Sequence, residues 1–329
     1  MLGVSLFLFS SDTATHYSTL AERNMQANGS GFTWNLVANV QEMFTYAFMR
    51  NAFEAGTVVA LVAGLVGYFV VLRGLSFAGH SLSHTGFAGA TGAILLDMRA
   101  IYGMLTFTIG SALIMGLLGK RLHGRDVITG IVLAWTLGLG VLFLSLYTGY
   151  ATEAYAVLFG EILGISVNDV QTTLVMGGVI LLAMAIIYRP LLFASLDEEI
   201  AEARGVPTQA LSIVFMLILA LAVSAATQVV GVLMIFALLI TPAAIAERLT
   251  TRPKLAILYS VVLSMLFTWS GLAISYYFPY PVSFFITSFA FFTYALVRGV
   301  PYIQHTVFSR RRKDMGAKAI AADLSTANL

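Results

Sequence analysis

From residue 55 onward, uncharged runs of about twenty residues alternate with short polar breaks. A helix needs about 20 apolar residues to cross a bilayer core of ~30 Å, so each such run free of Asp, Glu, Lys and Arg reads as a spanning helix. About nine emerge, at 55–72, 74–96, 101–118, 127–147, 170–188, 209–226, 228–247, 255–277 and 280–297. The expected fold is all-α, a polytopic transmembrane helical bundle. Positive charge alternates between the breaks. Arg73 follows the first run, Lys120, Arg121 and Arg125 the third, Arg189 and Arg204 the fifth, and Arg248, Arg252 and Lys254 the seventh. The chain closes with Arg310, Arg311, Arg312 and Lys313, whereas the other connections hold little beyond Arg99. The positive-inside rule then puts the odd-numbered connections and the C-terminus in the cytoplasm and the N-terminus outside, with Arg23 and Arg50 running mildly against it.

Two connections exceed a turn. Residues 148–169, TGYATEAYAVLFGEILGISVND, are expected outside, with a short apolar helix pattern that suits a gate or lid. Residues 189–208 are expected inside and read as a short amphipathic helix. Asp197, Glu198, Glu199 and Glu202 come early in it, and Arg204, Gly205 and Pro207 supply the stop. That segment reads as a soluble docking element.

Composition agrees with the pattern. The 329 residues are 59% hydrophobic and 10% charged, with a mean hydropathy of +0.88, where soluble domains carry about a quarter charged residues. A net charge of +2 with scattered cations gives no reason to expect a nucleic-acid partner. With no cysteine, any metal must be held by His, carboxylate or backbone oxygen.

GHSLSHTGFAGA, residues 79–90, places His80 and His84 inside a lipid-embedded run. At i and i+4 they share a helix face, about 5 to 6 Å apart at Cβ, which is the spacing of half a metal site. Neutral imidazole suits zinc, copper, iron or nickel, and a tetrahedral zinc site needs two further ligands, which a symmetric partner chain could bring. Ser81, Ser83 and Thr85 add hydroxyls, and Gly79, Gly86, Gly89, Ala90 and Gly92 allow another backbone to come close. Spacing alone leaves a second reading open, in which both imidazoles only hydrogen-bond neighbouring helices.

Other chemistries find little support. An intramembrane zinc protease needs Glu directly after the first His, and that position is Ser81. The nearest P-loop candidate, GSALIMGLLGKR, has Ile114 in place of the first Gly and Arg121 in place of Ser or Thr, so ATP must be handled by another chain. The spans hold essentially no carboxylate except Glu247 at one edge, which disfavours self-powered, ion-coupled transport.

Several stretches, in order, resemble the integral membrane permeases of ATP-binding-cassette importers for zinc and manganese. GYFVVLRGLSFAGHSLSHTGFAGATGAILL resembles that family's first block, in which VLR-x-x-SF leads into Gly-Asp-x-x-Ser-His. LFGEILGIS with Asp169 resembles the segment between its middle helices, LDEEIAEARGVP its cytoplasmic coupling helix, and VVGVLMIFALLITPAAIAERL its closing block. The resemblance covers roughly residues 42–300 and implies a bundle like that of type II ABC importer permeases. It also implies a homodimer in the cell membrane that is not itself an enzyme. The implied partners are a separate ABC ATPase subunit, an extracytoplasmic metal-binding protein, a second copy of the chain and the lipid bilayer.

In that family the Asp and His of the first block coordinate the metal, and these positions fall on His80 and His84. His80 departs from the usual Asp, and imidazole in place of carboxylate favours zinc over manganese. The implied cargo is a divalent ion, zinc favoured with manganese or iron as alternatives, with no cofactor held permanently. Acid would protonate the imidazoles and weaken the site. Glu198, Glu199, Glu202, Ala203, Arg204 and Gly205 would couple to the ATPase. Glu161, Asp169 and Pro242 are candidates for the pathway or gate, although solvated acids and a packing kink at Pro242 are the commoner outcomes.

Residues 1–41 are expected to form an extracytoplasmic extension, 42–300 the permease domain and 301–329 a basic cytoplasmic tail. Two alternatives stand beside this reading. One is a membrane-embedded His-metal enzyme or haem-binding protein, which would need an acid or base that the second span lacks. The other is an ABC permease for an organic metal chelate, against which the histidine pair argues for a bare ion.

Overall fold

The computed structural model describes residues 36–118, 125–147, 157–160, 162–278 and 280–299. A short helix, α1 (Leu36–Thr45), leads into α2 (Ala47–Leu72), α3 (Ser76–Leu95), α4 (Ala100–Leu118) and α5 (Arg125–Leu146). A 3-10 turn at Ile162–Gly164 precedes α6 (Val167–Leu196) and the six-residue α7 (Glu198–Ala203). The remaining helices are α8 (Thr208–Val230), α9 (Val232–Leu249), α10 (Pro253–Tyr277) and α11 (Val282–Gly299). Eight of these are long and apolar enough to cross a membrane. The helix outside that set is α3, whose 20 residues reach ~30 Å but are diluted by Gly, Ser, Thr and His. It belongs with the spans because α4, α5, α8 and α9 all pack around it.

Several expected boundaries move, each for a local reason. Helix α2 starts eight residues before the first uncharged run, because Arg50 and Glu54 lie on its exposed side and leave the helical ladder intact. Helix α6 continues through Arg189 and Pro190 to Leu196, so the inner connection loses its first part to helix. The break expected at Thr227 and Gln228 falls instead at Gly231, whose φ of +80° is open to glycine and closed to most other residues. A Cβ there would overlap the backbone of Phe159 and Gly160, and Gly160 has positive φ as well, at +76°. Pro242 lies buried within a continuous α9.

Of the eight apolar helices, α2 and α8 are the most enclosed and form the centre. Against α2 pack α6, α9 and α10, while α8 packs on α4 and α6. Between helices in lipid there is no hydrophobic drive, so small residues and polar contacts must hold the bundle together. Gly89 of α3 and Gly103 of α4 meet so closely that a Cβ on either would overlap the carbonyl of the other. Thr108 and Ser224 share a hydroxyl hydrogen bond of 2.7 Å between α4 and α8, and Ser260 Oγ donates to the Gly64 carbonyl at 2.8 Å between α10 and α2. Such bonds contribute on the order of 0.6 kcal/mol each in a membrane.

Candidate metal-transport site

Helix α3 is held on two sides. On the α4 side the Gly89–Gly103 approach locks it. Towards α5, Ser81 Oγ donates to the Thr129 carbonyl at 3.3 Å, Thr85 and Thr136 share a hydroxyl contact at 3.3 Å, and Thr91 Oγ1 reaches the Gly140 carbonyl at 3.4 Å. Ser83 Oγ turns back to the His80 carbonyl at 2.7 Å. These hydroxyls are fully buried in helix contacts and do not join the imidazoles.

The consequence is geometric. From Ala78 to Thr91 every residue of α3 is buried except His80 and His84, which stay partly open. Their rings stand edge to face with centroids 4.6 Å apart, and His80 packs edge to face on Phe236 of α9, centroids 5.1 Å apart. Among the described residues no group of three or more His, Cys, Asp or Glu comes together, so one protomer offers a pair of imidazoles and no third side chain of those kinds. Two nitrogens of this kind make half of a tetrahedral zinc site.

The other sequence candidates lie elsewhere. Glu161 is outside the described residues. Asp169 sits in the first turn of α6, where Ser166 Oγ donates to it at 2.6 Å, and it accepts from Arg99 at 2.9 Å and from Gln228 at 2.9 Å. This carboxylate is a junction between the α3–α4 connection, α6 and the last turn of α8. Pro242 is enclosed in the core.

At the other end of the bundle, Asp197 caps α7 by accepting from the Ile200 amide at 2.9 Å, and Glu202 accepts from Thr208. Gly205, with φ +82°, ends the turn. Ala201 is buried, while Glu198, Glu199, Glu202, Ala203, Arg204 and Gly205 are exposed. The coupling candidates therefore form one accessible knob.

Three contributors do not stand out as site residues in the pattern. Phe236 looks like any aromatic in an apolar span. Ile200, 49% exposed, gives the acidic α7 an apolar tip. Arg73, at the end of α2, hydrogen-bonds Ser195 of α6 and Ser212 of α8 and lies over the Phe215 ring, 5.8 Å from its centre. It ties together the ends of the two helices that flank α7, and its place in VLRGLSF was the only available hint.

The chain resembles known transport proteins over most of its length. It is 29% identical over 242 residues to the manganese transport system membrane protein MntC of Halalkalibacterium halodurans, covering 73% of this chain and 83% of that protein. It is 32% identical over 240 residues to the manganese import system permease protein ScaB of Streptococcus gordonii, covering 73% and 86%. Its structure matches PsaBC from Streptococcus pneumoniae, solved in complex with Fab, with a TM-score of 0.72 and 30% identity over 80% of this chain and 95% of that one. The profile of the ABC 3 transport family matches residues 45–298. The chain belongs to that family, as a multi-pass membrane subunit for transport and not an enzyme.

Proposed function

We propose that the chain is the permease of an importer for a divalent transition metal, with zinc as the favoured cargo, driven by a separate ABC ATPase and supplied by an extracytoplasmic metal-binding protein. One observation carries the reading: between Ala78 and Thr91, where neighbouring helices seal the rest of α3, the two imidazoles occupy the open positions. Open imidazoles at membrane depth call for a partner, since polar side chains there face a bundle interior or a water-filled path. Pairing two copies through this face brings four imidazole nitrogens around one ion. The names of the curated relatives support a divalent transition ion, and two imidazoles per copy favour zinc within that class.

In this reading the N-terminus is outside and α7 is inside, where its knob enters the ATPase. Asp169 belongs to the outer closure. Movement of the ATPases passes through α7 to α6 and α8, and Arg73 links that movement to α2. The pair of copies then opens inward and the ion leaves.

The test is elemental mass spectrometry of the purified complex after equilibration with equal zinc, manganese and iron, for the natural chain and a His80→Ala, His84→Ala variant. Zinc held by the first and lost by the second, with assembly intact, is the expected result. Manganese held in preference to zinc overturns the cargo assignment, and equal metal in both overturns the site. His80→Asp is expected to raise the share of manganese.

A further inference from the structure

Away from the histidines, at the end of the bundle that carries α7, a groove of about 750 Å³ opens between α6 and the start of α10. Its walls are apolar, from Leu192, Phe193 and Leu196 on one side and Leu255 on the other. Arg189, Arg252 and Lys254 also line it. We propose that this groove binds an anionic phospholipid, its phosphate held by the three cations and one acyl chain lying between the helices.

Charge is the first support. All three cations are exposed, and among the described residues none of them forms an ion pair. Basic pockets between spanning helices attract anionic headgroups, and each cation near such a surface adds to the binding. The first turn of α10 adds to this, because its ladder starts only with the Ala256 amide bonding the Arg252 carbonyl at 2.9 Å, leaving the earlier Lys254 and Leu255 amides pointing along the axis.

Depth is the second support. Arg189 stands seven residues before the end of α6, about 10 Å along the helix axis, so its stem lies on apolar surface while the guanidinium reaches the membrane border. Below it, on the same face of α6, Ile186 and Leu182 are 71% and 65% exposed. On α10 the matching positions below Leu255, Leu258 and Val262, are 53% and 42% exposed. The groove thus continues into two open apolar stripes at acyl-chain depth. Both helices rest on α2, so a chain between them fills the angle they leave. A free phosphate would use the cations but none of the walls.

The full-length chain is reconstituted in nanodiscs of phosphatidylcholine with a minor fraction of phosphatidylglycerol, extracted into mild detergent and weighed by native mass spectrometry. The natural chain is expected to retain phosphatidylglycerol over phosphatidylcholine. Replacing Arg189, Arg252 and Lys254 together with Gln weakens retention on the order of a hundredfold, while Arg189→Lys keeps it. Leu192→Trp, which leaves every charge in place, also lowers retention by filling the groove. Unchanged retention in the triple variant overturns the proposal, as does unchanged retention in Leu192→Trp. Two other results do the same: displacement by inorganic phosphate, which marks a soluble-anion site, and displacement by the ATPase subunit, which marks a protein interface.

Discussion

In the proposed site, His80 and His84 would contribute through orientation as much as through chemistry, because neither can turn without disturbing a packed ring. Phe236 holds His80 edge to face, an arrangement worth about 0.5–1.5 kcal/mol. Phe236→Ala is therefore expected to weaken zinc retention by about two- to tenfold, read by competition with a chelator of known affinity, while Phe236→Tyr preserves most of it. The i, i+4 spacing was enough to find the imidazoles in the sequence. It could not find Phe236, since nothing local separates an aromatic beneath a ligand from one against lipid. The hydroxyls of Ser81, Ser83 and Thr85 were legible as polar, but their direction towards α5 or back along α3 is set by neighbours that the sequence does not place.

At the level of elements, the uncharged runs locate the helices well because charge is so costly in lipid. They miss where charge is tolerated at an edge, as at Arg50, Glu54 and Arg189, and where a glycine outweighs polar residues as the breaking point, as at Gly231. One very tight helix contact is the Gly89–Gly103 crossing. Gly89→Ala should destabilise the bundle by about 1–3 kcal/mol, because backbone would have to move. Gly110, with open space around its Cα, is the control, and Gly110→Ala should leave stability unchanged or slightly raised. Thermal unfolding of the purified proteins separates the two. On α7, Asp197→Ala removes the cap and costs about 0.5–2 kcal/mol of helix stability. The expected phenotype is slower ATP-driven import with zinc retention by the histidines unchanged, measured in proteoliposomes and by elemental analysis. The acidic, glycine-terminated pattern of residues 197–205 made α7 visible beforehand, whereas its exposed Ile200 tip needed the structure.

The whole molecule has an inner core around α2 and α8 and a face where His80 and His84 of α3 lie partly open. If copies pair through that face, a cysteine at Phe77, one turn from His80, should form a crosslink between copies under mild oxidation. One at Leu182, on the exposed side of α6, should not. The cysteine-free natural chain makes the measurement direct, since every crosslink must come from the introduced thiol. A dimer band from Leu182→Cys with none from Phe77→Cys would overturn the pairing. The spanning helices could be located from the uncharged runs, but the partial opening of α3 at His80 and His84 could not. Its low hydropathy is as consistent with full enclosure as with a water-lined seam.

The clamp on α3 by Gly103 and by its hydroxyl bonds to α5 makes the histidine pair a rigid two-pronged fork. Both prongs belong to one helix that cannot roll, so in the proposed site shared by two copies the separation between them would be the remaining adjustable dimension. Zinc–nitrogen bonds are ~2.0–2.1 Å long with a tolerance of about 0.2 Å. The ion would therefore act as a gauge of the gap between protomers: a parting of even an ångström lets go of it, and no helix need unwind for the cargo to move on.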